Sequence, residues 1–132
     1  MKTWLDEQVA QIRRQRRPAD EGSLWLLLFD GRDAEPGAVA VISGAMADLN
    51  DRMTHNVALI IERVPAPLVL LAVPRRDGHP CVRDRQLWSA LRELLRDGAT
   101  ELVNLVVVGD CTYWRASSLV CGCAHQPGSW QT

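Results

Sequence analysis

No run of apolar residues in this chain approaches the roughly 20 that a membrane-spanning helix needs. The longest such stretch, Val64 to Pro74, is broken by prolines and has the length of a strand. The opening residues, MKTWLDEQVAQ, are amphipathic and acidic early, without the apolar core of a secretion signal. Neither charge is in excess: the formal net charge is -1. That gives no electrostatic case for wholesale nucleic-acid binding. Cysteine is sparse and unevenly placed, at Cys81, Cys111, Cys121 and Cys123, which excludes a disulfide framework. These residues are expected as free thiols or metal ligands in a reducing, cytoplasmic setting. Internal repeats, low-complexity segments and a phosphate-cradling glycine loop are also missing. Ser117, Ser118 and Cys121 have no base partner visible in sequence, so no nucleophile–base pair stands out.

What is present describes an ordinary globular chain. Its 132 residues are 47% hydrophobic and 23% charged, enough for one domain, 1–132, with a sizeable core. Residues 3–17 read as an amphipathic helix within an N-terminal segment, 1–18. Thr3 caps it, Leu5, Val9 and Ile12 recur at helical spacing, and Pro18 stops it. Its last turn, Arg13 to Arg17, reads as solvated cations complementing the helix dipole. The alternative is a patch for phosphate or an acidic partner. LWLLLF, Leu24 to Phe29, predicts a buried strand, and Ala38 to Ile42 its hairpin partner across Asp30-Gly31 and Pro36-Gly37. Met53, Val57, Ile60, Ile61 and Val64 form the strongest helical stripe, with Asn50 or Asp51 as cap. Leu68 to Val73, apolar at every position, predicts a strand covered on both faces. Leu87, Trp88, Leu91, Leu94 and Leu95 predict a further helix, with Gly98 as its stop. LVNLVVV, Leu102 to Val108, predicts another strand, and 112–116 a shorter one. Such an order makes an α/β (α+β) architecture, a mixed central sheet flanked by helices.

One constellation is more specific. Leu71-Ala72-Val73-Pro74 ends a strand, a polar loop follows, and Pro80-Cys81-Val82-Arg83-Asp84 opens a helix. The next strand closes with Gly109-Asp110 and Tyr113 nearby. This pattern resembles the JAB/MPN metallopeptidase fold, most of all its bacterial RadC-like branch, over residues 24–117. In that family the strand ends in His-x-His-Pro and the helix opens with Pro-Ser-x-x-Asp. The resemblance implies zinc held by two histidines and the aspartate, a serine beside the bound water, and an upstream glutamate as general base.

The departures fall on the chemistry. Leu71 and Val73 stand at the histidine positions, Cys81 at the serine, and Ala38 to Gly44 offers no carboxylate. Only Asp84 matches a ligand. Catalytic zinc takes three protein ligands and an open position, and without it water keeps a pKa near 15.7. The resemblance therefore implies a pseudoenzyme, a scaffold pairing with a protein partner or a second copy of itself, around a pocket at Leu71, Val73, Cys81 and Asp84. Asp84 also has a structural role open to it, accepting backbone N–H groups at a helix start. The competing reading is a zinc-dependent peptidase or isopeptidase with displaced ligands His79, Cys81 and Asp84. Cys121, Cys123 and His125, in the tail 118–132, are a further candidate zinc set, although C-x-C-x-H is not the usual finger spacing. A third reading, a DNA-associated accessory protein, rests on the branch alone. His55 is expected on the polar side of its helix. The five tryptophans read as core or rim, with Trp114, beside Tyr113 and Arg115, as a contact patch.

Overall fold

The computed structural model describes residues 3–32, 35–47, 49–64 and 66–116. Helix α1 (Trp4–Gln15) leads through a single 3-10 turn into β1 (Leu24–Phe29) and β2 (Ala38–Ile42). Then come α2 (Asp51–Arg63), β3 (Leu68–Pro74), α3 (Val82–Leu94), β4 (Glu101–Val108) and β5 (Tyr113–Arg115). The five strands form one mixed sheet in the order β2-β1-β3-β4-β5. Only β3 and β4 run parallel, and α3 makes the crossover between them. Such a connection needs a dozen or more residues, which α3 and its loops supply.

Strand alternation sorts the core onto two faces. Leu24, Leu26, Val69, Leu71, Val73, Leu105 and Val107 project toward α2 and α3. Trp25, Leu27, Phe29, Leu70, Ala72, Val106 and Val108 project to the opposite face, against Val9 and Ile12 of α1. β3 is apolar throughout because both its faces are covered, and Leu70 and Leu71 are each fully buried. A mixed sheet flanked by helices is thus the architecture.

The helix caps follow the sequence. Thr3 accepts the Asp6 N–H at 3.1 Å while Asp6 accepts the Thr3 N–H, a capping box. Asn50, rather than Asp51, caps α2 by accepting the Met53 N–H at 2.9 Å. Three expectations need correction. Ile60 is 39% exposed, because α2 is rolled so that Thr54, Val57, Ala58 and Ile61 are the residues turned inward. On α3, Leu94 is as exposed as Ile60, and Leu95, just past the helix end, is the one that is buried. Nor are the α1 arginines simply solvated. Arg13 Nε donates to the Gly109 carbonyl at 2.9 Å, and Arg16 donates to the Val108 carbonyl and pairs with Asp110. They bolt the end of α1 to the end of β4. Among the described residues no helix is long and apolar enough to cross a membrane.

Candidate functional site

The site forms where β3 leaves the sheet. The chain turns through Asp77-Gly78 and returns to start α3 at Val82. Gly78 sits at φ +68°, a conformation that favours glycine, and packs against Gly109 at the end of β4. A Cβ on Gly109 would lie only 2.5 Å from the Gly78 Cα, so both positions require the smallest residue. This contact fixes the loop that carries Arg75, Asp77 and His79.

Arg75 turns back onto the start of α3. Its Nη1 and Nη2 donate to Asp84 Oδ2 and Oδ1 at 2.6 and 2.9 Å, a two-pronged ion pair. Nη1 also donates to the His79 carbonyl at 2.7 Å. Asp84 Oδ2 accepts the Cys81 N–H at 2.7 Å, closing the first turn of α3. The Asp84 side chain is 1% exposed and that of Arg75 17%. Burial works against the charge on Arg75. The hydrogen bonds and negative charge of Asp84, with Cys81 and Asp77 adding, nevertheless carry its pKa above the ordinary arginine value.

The candidate residues therefore separate. Leu71 and Val73 lie wholly inside the core beneath α3, packed with Leu87, Trp88 and Leu91. Asp84 is buried beside them and engaged by Arg75. Cys81, half-buried, and His79, exposed, line a shallow surface cavity of about 310 Å³ with Arg75, Asp77 and Arg83. The four pocket residues of the sequence reading do not share one open cleft. Cys111 is exposed and His55 lies on the exposed side of α2, its Nδ1 2.8 Å from the Asp51 carbonyl oxygen. Cys121, Cys123 and His125, like Trp130, lie outside the described residues.

The residues present do not fit the zinc that the resemblance implies. Leu71 and Val73 have no lone pair to give, and both Asp84 oxygens already face a guanidinium cation. His79, Cys81 and Asp84 do not converge either. Among the described residues no three His, Cys, Asp or Glu side chains gather at metal-binding distance. Arg75 was missed from sequence. The only signal for it was a cation directly after a strand, followed by an unmatched aspartate at a helix start.

A second region stands apart at the open edge of the sheet. β2 pairs with β1 alone, so its other edge carries no strand among the described residues. Its Val39 and Val41 are 42% and 44% exposed, on the same face as Trp25 and Leu27. Between Val39 and α1 runs a groove of about 240 Å³. At the far end of the sheet α1 is tied down: the Tyr113 hydroxyl donates to Asp6 Oδ1 at 2.5 Å. That bond lowers the Asp6 pKa, while burial and Asp6 raise that of Tyr113.

Compared with known protein families and with curated proteins, the chain matches none.

Proposed function

We propose that this protein is a non-catalytic member of the JAB/MPN fold, RadC-like, that works as a protein-interaction or scaffold module. The single observation carrying this reading is the Arg75–Asp84 pair. A guanidinium occupies the one carboxylate that matches the family's metal ligands, and aliphatic side chains fill the two histidine positions. The arrangement stabilises the turn into α3 and offers no activated water. The mixed sheet between helices and the exposed apolar residues along β2 agree with a framework that acts through its surface.

The test is zinc content together with hydrolysis. Protein purified without chelator, then offered zinc, is expected to hold substoichiometric metal and to leave a ubiquitin-like tail or an unfolded peptide intact. Stoichiometric zinc with chelator-sensitive cleavage would establish the peptidase reading instead.

A further inference from the structure

We infer that the β2 edge and the groove beside α1 receive an extended segment of a partner protein, added as a sixth strand and carrying a lysine or arginine. This rests on the interaction-module reading and gives its partner a chemistry.

Three independent features converge there. An edge strand presents alternate N–H and C=O groups outward, a template for another strand. β2 has the sequence AVAVI, with no proline, lysine or other charge to discourage pairing. Its two outward valines sit on the groove face, where alternate side chains of an added strand would cover them.

An unspent acceptor also lies in the groove wall. Gln8 is 5% exposed and lines it, yet its buried Oε1 has no hydrogen-bond partner. A buried acceptor left unsatisfied is costly and rare in native proteins. Trp4, one helical turn earlier, has an equally unpartnered indole N–H, so the two do not satisfy each other. Finally, the charge is one-sided. Glu7 and Glu35 flank the groove, and among the described residues no lysine or arginine lines it and neither glutamate is in an ion pair. A cationic side chain two positions along from an apolar one would lie over Val39 and meet both carboxylates. A second copy of this chain would instead bring its own Glu7 and Glu35 toward the same edge, so a distinct basic segment is the better match.

The experiment is an amide-resolved NMR titration of the full chain with short capped peptides of alternating valine and threonine. One probe carries a lysine on the valine face, a second a glutamate there, and a third the lysine with alternate backbone amides N-methylated. Shifts are expected in α1 and β2, with the lysine probe binding about ten-fold more tightly than the glutamate probe. The N-methylated probe should lose binding, since it cannot pair as a strand. In the E7K/E35K variant the charge preference should invert. Absent β2 shifts, or equal binding of both charges, would overturn the inference. So would β2 shifts that depend on protein concentration without peptide, which would assign the edge to a second copy. Mass spectrometry on the same samples keeps the two readings apart: a cleaved peptide would sink the non-catalytic reading, whereas the shifts alone decide the edge.

Discussion

Around Arg75, the guanidinium, the Asp84 carboxylate, the His79 carbonyl and the Cys81 amide satisfy one another at 2.6–2.9 Å. At the other region, along β2, Val39 and Val41 stay more than two-fifths exposed and the Gln8 carbonyl, though buried, has no donor. Both regions hang on the same sheet. One has its hydrogen-bonding capacity and charge consumed internally; the other leaves apolar surface, backbone edge and negative charge unspent. The resemblance directs attention to the first region, whereas the unsatisfied groups lie in the second, where we propose that a partner binds. A site inherited from a fold can be retained as structure after its chemistry has gone, and function is then better sought where groups remain unsatisfied.

The comparison is broken most severely at Arg75. R75L would leave the Asp84 carboxylate buried with only the Cys81 N–H for company. Removing one partner of a buried ion pair costs about 3–5 kcal/mol, and the partial exposure of Arg75 places this case toward the lower end. Urea unfolding at neutral pH measures it. R75L/D84N, which removes the stranded charge but keeps an acceptor for Cys81, should recover part of the loss. A loss under about 0.5 kcal/mol would make the pair equivalent to a surface bridge and end its role as an internal counter-ion.

Next in size is the glycine contact that holds the Arg75 loop. G109A puts a methyl group 2.5 Å from the Gly78 Cα and 2.9 Å from its nitrogen, both backbone atoms that cannot swing away. Overpacking of this kind costs about 1–3 kcal/mol. G31A is the control, because a Cβ there meets nothing within 4 Å. Similar unfolding midpoints for the two variants would show that the loop has slack and is not fixed by β4.

These positions also mark where sequence reading ran out. The β3 strand, the β1–β2 hairpin and the Thr3 cap were legible because each follows from local pattern: unbroken apolarity, paired turn residues, a hydroxyl before a helix. The lack of lone pairs at Leu71 and Val73 was equally plain. Arg75 was not, since its meeting with Asp84 depends on a loop doubling back over a Gly78–Gly109 contact between segments far apart in the chain. Ile60 falls in the apolar stripe of its helix, but periodicity does not give the helix's roll against its neighbours. Arg13 and Arg16 were read as solvated because nothing local reveals that α1 ends beside the carbonyls of β4. Nothing in the local pattern of Leu5, Val9 and Ile12 singles out Gln8. Its unpartnered oxygen becomes visible only once α1 is docked beside β2.

The smallest effect on stability, and the sharpest contrast with Arg75, is expected at Val41. Its side chain is 44% exposed, so V41K and V41E should each change unfolding free energy by no more than about 0.5 kcal/mol. Their effects on the lysine probe should nevertheless have opposite signs. A lysine at this edge adds a charge of the probe's own sign and is the residue sheets use to discourage strand addition. A glutamate extends the acidic rim already formed by Glu7 and Glu35. V41K should therefore abolish β2 shifts in the titration while V41E preserves or strengthens them. If both variants bind the probe alike, the edge reads backbone geometry alone, and the acidic groove has no part in choosing its partner.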